Sequence, residues 1–337
     1  MRRRPPSFSD DEGSLYSGSE SASTCSSTDS SACDEDEVNV RMAPDWCAYR
    51  CLIEQRGFRL DTCRDVKLWY QRYWETLIAQ GQSVSKDCAG YRRACAGGDE
   101  DDLCRDAGLP ENLFRGTHVS SDTKVVIKAV HLSSREYDIV RYMSSYPLCK
   151  DPRNHLIPIM DFIEVVESNL AFIVMEEWSP NFVPDPPPTL RCFLGALRQC
   201  IEHAEFMHSH RIAHLDISIR NLLTDYNSHY AYIDFEVSRR FDDDPDPRIR
   251  CCRGTELSPE RERGDWADPY KADIWSLSIV ILHATSWTGY NLPELRPLLR
   301  SMQEENFSVR PNATEVLREF DDIVRRMSDC RLQSGPP

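Results

Sequence analysis

One stretch of ten residues decides the fold of this 337-residue chain: His214-Leu215-Asp216-Ile217-Ser218-Ile219-Arg220-Asn221-Leu222-Leu223. Within it the carboxylate of Asp216 and the carboxamide of Asn221 stand five residues apart between apolar flanks. A nearby apolar run, Tyr232-Ile233-Asp234-Phe235-Glu236, contributes a further carboxylate at Asp234. Oxygen ligands of this kind suit Mg²⁺, which completes its shell with phosphate and water. The two segments therefore predict a site for a metal-bound phosphate compound, as phosphoryl transfer requires.

Composition narrows the classes of partner and compartment. A net charge of −15 argues against nucleic acid or an anionic membrane surface as the main partner. The N-terminus has no apolar stretch that could serve as a signal peptide, so we expect a cytoplasmic or nuclear protein that is not secreted, with its 14 cysteines reduced. The most apolar window, residues 274–287, is too short to span a bilayer and predicts a buried helix.

Two further local patterns predict elements of the fold. Residues 190–208 carry apolar side chains at helical spacing and predict a long amphipathic helix. The β-rich runs 113–119 and 124–130, joined by residues 120–123, predict a hairpin.

The two segments resemble the catalytic motifs of the protein kinase superfamily. His214, Asp216 and Asn221 fit the pattern His-Arg-Asp followed by Asn, and Asp234 with Phe235 fits the start of Asp-Phe-Gly. The family's later residues follow in the usual order with nearly usual gaps: Glu260 in Ser258-Pro259-Glu260, then Asp273, then Arg310. The resemblance extends to the divergent kinase-like proteins that are numerous in mushroom-forming fungi.

The resemblance implies an α+β, bilobal fold with a small β-rich N-lobe and a larger helical C-lobe, and with ATP and Mg²⁺ bound between the lobes. We expect this domain at residues 108–330. A Ser-rich and acidic tail at 1–40 and the C-terminus at 331–337 are predicted to be disordered. Residues 41–107 are predicted to form a helical extension and an acidic linker, whose aromatic helix faces either bind a partner or pack on the main domain.

The resemblance also implies catalytic roles for five residues. Asp216 positions the acceptor hydroxyl and takes its proton, and Asn221 and Asp234 bind the metal. Lys128, at the end of the β pattern Val125-Val126-Ile127-Lys128, holds the phosphates of ATP, although alone it would be read as a surface lysine. Arg220 steadies the transferred phosphate.

Other residues would orient Lys128, meet adenine or support the catalytic loop. Glu136 is the candidate partner of Lys128, and a solvated Glu136 is the alternative, because one Glu on a short helix is a weak signal. The resemblance assigns Met175 as gatekeeper, with Glu176, Glu177 and Trp178 as the hinge that meets adenine. It pairs Glu260 with Arg310 and assigns Asp273 to hold the catalytic-loop backbone.

Two departures from the family pattern concern the nucleotide site. No Gly-x-Gly-x-x-Gly precedes Lys128, and Gly108 and Gly116 stand alone. Because that loop supplies the backbone donors that cover the phosphates, we expect a low affinity for ATP. Glu236 replaces the Gly of Asp-Phe-Gly, which removes a flexible position and adds a negative charge that either binds a cation or repels phosphate.

Two further departures concern regulation and substrate docking. Leu215 replaces the Arg that normally pairs with a phosphorylated activation segment, here residues 236–260, and residues 239–253 contain no Ser, Thr or Tyr. Switching by phosphorylation in that stretch is therefore not expected. The distance from Asp273 to Arg310 is short for the family, so a helix that docks substrates is expected to be missing.

Taken together, the motifs predict an ATP-dependent protein kinase that phosphorylates a protein hydroxyl. Ser218 stands where Ser/Thr kinases carry Lys, and Arg220 resembles tyrosine kinases, whereas Gly254-Thr255 resembles the Ser/Thr group, which is slightly favoured. A pseudokinase that acts as a binding or scaffold module is the main alternative, and a small-molecule kinase on the same fold is another. The sequence does not identify the protein substrate.

Overall fold

The structure is a computed structural model that describes residues 39, 41–81, 83–84, 88–180, 187–250 and 252–335. The predicted tail at 1–40 therefore lies almost wholly outside the described residues. The chain divides into two compact units. The N-terminal unit comprises Met1–Ser134 and Pro158–Glu177, and the C-terminal unit comprises Arg135–Ile157 and Trp178–Pro337.

The described part of the N-terminal unit is built on a five-stranded antiparallel sheet with the order β1-β2-β3-β5-β4. Its strands are β1 (Phe58–Leu60), β2 (Leu113–His118), β3 (Thr123–His131), β4 (Ile159–Val165) and β5 (Leu170–Glu176). The predicted hairpin is confirmed, because β2 and β3 pair in register through the turn at residues 119–122. The sequence did not predict β1, which lies within the 41–107 region and pairs with β2.

Three helices of the N-terminal unit come from the region 41–107. They are α1 (Trp46–Gln55), α2 (Cys63–Ala79) and α3 (Ala89–Ala96). The buried face of α1 packs on the sheet, where the ring of Trp46 lies 5.2 Å from that of Phe114 and 5.6 Å from that of Phe172. Thr62 caps α2 in a capping box with Asp65. Within this unit the first aromatic face is thus covered by the sheet.

The C-terminal unit is mainly helical. Its helices are α4 (Arg135–Met143), α5 (Leu190–Ser209), α6 (Pro259–Glu262), α7 (Pro269–Thr288), α8 (Arg296–Met302), α9 (Ala313–Arg326) and α10 (Asp329–Leu332). Two small antiparallel ladders join β6 (Ile212–Ala213) to β9 (Arg239–Arg240) and β7 (Leu222–Thr224) to β8 (Tyr230–Tyr232). Together with the sheet of the other unit, these elements confirm the expected α+β class.

The two long helices of the C-terminal unit follow directly from the sequence pattern. The amphipathic pattern from 190 to 208 becomes α5, which Thr189 caps. The apolar window from 274 to 287 becomes part of the buried helix α7, which begins after the capping Asp268 and ends at Gly289 in a left-handed conformation. Both helices are confirmed, and α7 is buried along most of the apolar window, whereas Leu282 and Trp287 near its end are exposed.

Two observations bear on the ends of the chain and on membranes. Residues 331–335, which the sequence places in a disordered C-terminus, include the end of α10, where Leu332 is buried. In the part of the chain that the structure describes, no helix is long and apolar enough to cross a bilayer.

Candidate active site

The backbone of the catalytic loop is anchored by a buried carboxylate on α7. Asp273 is inaccessible to solvent and accepts hydrogen bonds from the backbone N–H of His214 at 2.8 Å and of Leu215 at 2.7 Å. The Nε2 atom of His208 lies 3.0 Å from the same carboxylate. Hydrogen bonds to an ionised acceptor are stronger than neutral ones. The contact that the kinase resemblance assigns to Asp273 is therefore present, and it fixes the loop ahead of Asp216.

Two non-glycine residues at this site have left-handed backbone conformations. Leu215 has φ 66° and Asp234 has φ 65°. Such conformations cost about 1–2 kcal/mol per residue for L-amino acids and persist where the surroundings hold them. Both residues lie at the sequence motifs that predicted the site.

Both carboxylate oxygens of Asp216 accept hydrogen bonds. The side-chain amide of Asn221 donates to Oδ2 at 3.0 Å and also to the backbone oxygen of Asp216 at 2.9 Å. The backbone N–H of Thr255 donates to Oδ1 at 2.6 Å. Because the amide nitrogen of Asn221 faces Asp216, its carboxamide oxygen is the atom that it can offer to a cation.

The β7–β8 ladder brings the two candidate metal ligands to neighbouring strand ends. Leu222, directly after Asn221, pairs with Tyr232, and the backbone N–H of Ile233 donates to the backbone oxygen of Asn221 at 3.1 Å. Asp234 follows at once. The strand pairing, and not the spacing along the sequence, is what unites the two motifs.

The residues after Asp234 are buried within the C-terminal unit. The ring of Phe235 lies 4.8 Å from the ring of His214, and the hydroxyl of Ser238 donates to the backbone oxygen of His214 at 2.9 Å. Glu236, at the position of the family's Gly, is only 8% exposed. Glu236 is therefore a buried residue two positions after Asp234, and its effect on a cation or a phosphate stays a prediction.

Glu260 and Arg310 form a buried, bidentate ion pair. Both guanidinium Nη atoms donate to the carboxylate at 2.7 Å, and the guanidinium lies 5.0 Å from the ring centre of Trp275. Burial alone would raise the pKa of Glu260, but the hydrogen bonds and charge of Arg310 outweigh it, so the pKa is lowered. The pair that the resemblance assigns to these residues is thus present and fixes α6.

Glu256 is a neighbour of the catalytic loop that the sequence did not indicate. Burial raises its pKa, the charges of His283 and Arg220 oppose that rise, and the charge of Asp216 adds to it. Its carboxylate oxygen lies 3.5 Å from Nδ1 of His283. Arg220 is therefore close enough to Glu256 to lower the pKa of that carboxyl through its charge. The position of Glu256 in the activation segment, directly after Thr255, is the sequence signal that could have indicated this residue.

Two of the predicted nucleotide contacts, Lys128 and Met175, belong to the N-terminal unit. Lys128 lies in β3, is 9% exposed, and faces Leu113 on one neighbouring strand and Ile173 on the other. It is therefore not a surface lysine. Met175 lies near the end of β5. Their roles towards a nucleotide stay predictions.

The hinge residues and Glu136 are divided between the units. Glu176 ends β5, and the carboxylate of Glu177 pairs with the guanidinium of Arg115, so both belong to the N-terminal unit. Trp178 and Glu136 belong to the C-terminal unit. Glu136 lies on α4 and is 2% exposed, which rules out the solvated alternative. Its pairing with Lys128 stays a prediction.

The glycine at position 116 is explained by close packing and does not require a role in phosphate binding. A Cβ atom built there would lie 2.7 Å from the backbone oxygen of Arg59, which is closer than real Cβ atoms approach. The strand β1 thus passes too close for a side chain. The turn between β2 and β3, Val119-Ser120-Ser121-Asp122, contains no glycine and lies at the end of the hairpin away from Lys128, which pairs with Leu113 at the start of β2.

The donor set of the C-terminal unit fits a Mg²⁺ ion that arrives with phosphate. Asn221 and Asp234 offer oxygen atoms, the ligand type that Mg²⁺ prefers. Within the described residues, no group of three or more His, Cys, Asp or Glu side chains is arranged to hold a metal ion. Mg²⁺ commonly uses one or two protein carboxylates and takes its remaining ligands from phosphate and water. The arrangement suits that mode better than a metal site built from protein alone.

Comparison with known proteins agrees with this geometry. The family model for the protein kinase domain matches residues 112–291, more than half of the chain. The chain is 24% identical over 204 residues to ephrin type-A receptor 3 of Danio rerio, covering 52% of this chain and 20% of that protein. It is 26% identical over 181 residues to a probable myosin light chain kinase of Dictyostelium discoideum, covering 49% of this chain and 44% of that protein. The matches thus span less than half the length of these relatives. The chain belongs to the protein kinase superfamily and has its bipartite α+β fold.

Proposed function

We propose that this protein is an ATP-dependent protein kinase that transfers a phosphoryl group from Mg-ATP to a protein hydroxyl. The observation that carries the proposal is the fixed position of Asp216. Its carboxylate accepts hydrogen bonds from Asn221 and Thr255, and the backbone before it is anchored by Asp273. Phosphoryl transfer depends mostly on positioning and charge stabilisation, so a prearranged carboxylate is what this chemistry needs.

Each residue then has a definite task. Asp216 orients the acceptor hydroxyl and accepts its proton; its carboxylate has lone pairs beyond the two that the structure engages. The carboxamide oxygen of Asn221 and the carboxylate of Asp234 would hold Mg²⁺, which neutralises charge on the phosphates. Lys128 and Arg220 would bind phosphate oxygens.

We place Ser and Thr slightly ahead of Tyr as acceptors. The support is the resemblance of Gly254-Thr255 to the Ser/Thr group. The observed bond from Thr255 comes from its backbone, which any residue other than proline could supply, so that bond supports the position of the activation segment and not the acceptor class.

The test is a phosphotransfer assay on the full chain with labelled ATP, Mg²⁺ and a panel of acceptors. The panel contains casein, histone, a random Glu–Tyr copolymer and small hydroxyl metabolites. Asp216→Asn is the inactive variant, and Asp265→Asn, at an exposed carboxylate that pairs with Arg263, is the matched control. Transfer to protein that Asp216→Asn abolishes and Asp265→Asn retains supports the proposal. Transfer to metabolites alone indicates a small-molecule kinase.

A pseudokinase is the second candidate, and the burial of Glu236 favours it. Glu236 is 8% exposed and stands two residues after Asp234, so an ionised carboxylate there would repel phosphate groups bound near Asp234. This alternative predicts no transfer to any acceptor in the panel. Removing the charge with Glu236→Gly, which restores the family's residue, would then improve nucleotide binding.

A further inference from the structure

Arg261 stands beside Glu260 on α6, but its side chain contacts another part of the C-terminal unit. It is 1% exposed, and its Nη1 donates to the backbone oxygen of Leu215 at 2.9 Å. Its Nη2 donates to the backbone oxygen of Arg253. A single buried guanidinium thus bonds both the catalytic loop and the activation segment. Arginine suits this task because its planar fork presents several donors in fixed directions.

Leu215 is held at both of its backbone polar atoms by charged, buried side chains. Its N–H donates to Asp273, and its carbonyl oxygen accepts from Arg261. It also has the left-handed φ of 66°, so its conformation depends on such contacts. Leu215 directly precedes Asp216. A rotation of the peptide group between them would break the bond to Arg261 and turn the carboxylate of Asp216.

The activation segment passes against the same carbonyl oxygen. Gly254 has φ 134°, and a Cβ atom built there would lie 2.8 Å from the oxygen of Leu215 and 3.3 Å from Nη2 of Arg261. The next residue, Thr255, donates its N–H to Asp216 at 2.6 Å. Arg261 therefore binds Leu215, directly before Asp216, and Arg253, two residues before Thr255. It thus holds the backbone on both sides of the contact between Thr255 and Asp216.

We propose that Arg261 is a positioning residue that holds the activation segment against the catalytic loop, so that the site is ordered without phosphorylation. This inference deepens the proposed function and rests on it, because it concerns how the same site is kept in working order. Residues 239–253 contain no Ser, Thr or Tyr, and Leu215 cannot pair with a phosphate. Arg261 supplies a permanent link, and the ion pair of Glu260 with Arg310 fixes the short helix that carries it.

The experiment compares Arg261→Met and Arg261→Lys with the wild-type chain, with Arg263→Met as the matched control. Arg263 is exposed at the end of the same helix and pairs with Asp265. Turnover and KM for ATP are measured with Mg²⁺ present. Amide hydrogen exchange is followed at Leu215 and Thr255 and, as a distant reference, at Phe320. Lysine keeps the charge but cannot bridge two carbonyl oxygens in the geometry of a guanidinium.

Arg261→Met is expected to lower kcat about 100-fold, the effect of a small misplacement of a catalytic group, with KM for ATP nearly unchanged. The kcat of Arg261→Lys is expected to lie between those of Arg261→Met and the wild type. The kcat of Arg263→Met is expected to match that of the wild type. Exchange should quicken at Leu215 and Thr255 and stay slow at Phe320. If Arg261→Met does not fold, Arg261→Lys carries the test.

Wild-type kcat together with wild-type protection at Leu215 and Thr255 in Arg261→Lys would overturn the inference. Equal loss of protection at Phe320 would also overturn it, because Arg261 would then support only the fold. If the wild-type chain transfers no phosphate, the proposed function fails by itself. In that case the exchange data still decide whether Arg261 holds the segment.

Discussion

The catalytic loop keeps the residues of the kinase pattern more fully than the region of the β2–β3 hairpin does. In the loop, Asp216 and Asn221 are present and are held by hydrogen bonds to one another and to the surrounding backbone. No Gly-x-Gly-x-x-Gly that could cover phosphate stands before Lys128, either in the hairpin or ahead of it, and Gly116 serves the close passage of β1. Under the proposed function, nucleotide binding would therefore rely on side chains and a metal ion and little on backbone donors.

Substitutions in the catalytic loop and in the hairpin are expected to differ most in their effect on kcat. Asp216→Asn should lower kcat by about 10³-fold or more, because it removes the group that positions the acceptor and takes its proton. Ser120→Ala, in the turn of the hairpin, should change kcat by less than about twofold, as most surface substitutions do. Steady-state kinetics on the best acceptor of the panel measure both. Equal losses would show that the hairpin, and not only the loop, serves the chemistry.

The next effect concerns the stability of the C-terminal unit. Arg310→Met leaves the carboxylate of Glu260 buried without its partner and should lower the free energy of unfolding by about 3–5 kcal/mol. Arg263→Met breaks an exposed pair with Asp265 and should cost about 0–1 kcal/mol. Urea unfolding followed by tryptophan fluorescence gives both values. Similar values for the two variants would contradict the role assigned to the buried pair.

The same pair should make stability depend on pH in a defined direction. The pKa of Glu260 is lowered in the folded chain. Its contribution is therefore present above the unfolded pKa of about 4.3 and is lost as the pH falls through the lower folded value. The stability difference between the wild type and Glu260→Gln should shrink below about pH 4. Urea unfolding of both proteins from pH 7 to pH 3 checks this, and a difference that grows towards low pH would contradict it.

The smallest expected effects are the changes in stability when Gly116 or Gly195 is replaced by alanine. Gly116→Ala places a Cβ atom against the backbone oxygen of Arg59 and should cost about 1–3 kcal/mol of stability, as overpacking does. Gly195→Ala meets no heavy atom within 4 Å, lies inside α5, and should add about 0.5–1 kcal/mol. Thermal unfolding with and without Mg-ATP measures both. Loss of nucleotide binding in Gly116→Ala, with little loss of stability, would make Gly116 a phosphate residue after all.

The parts of the fold that the sequence predicted are those with a local signal. The hairpin has turn residues between two β-rich runs, and α5 and α7 have their own helical spacing, apolar runs and caps. The strand β1 is three residues long, and its partner β2 begins 53 residues after β1 ends. Such a segment has no periodicity of its own, and only the paired strand defines it.

The candidate site divides in the same way. Asp216, Asn221, Asp234 and Asp273 are predicted from their order and spacing, and the hydrogen bonds of Asp216 with Asn221 and of Asp273 with Leu215 agree with that prediction. Arg261 was missed because a lone arginine beside Glu260 looks like a solvated charge until the structure shows it buried against Leu215, 46 residues earlier. Because every residue has a backbone oxygen, the residue type of the partner does not indicate such a contact, and the sequence cannot predict it.

Metal-dependent nucleotide binding at the catalytic loop can be tested by thermal unfolding of the full chain with ATP, with and without Mg²⁺. The wild type and Asp234→Asn are compared. Ligand at about 100 times Kd adds about 2.7 kcal/mol of stability. We expect an increase in Tm that requires Mg²⁺ and is lost in Asp234→Asn. An unchanged Tm at millimolar ATP, or the same increase in Asp234→Asn, would contradict such binding.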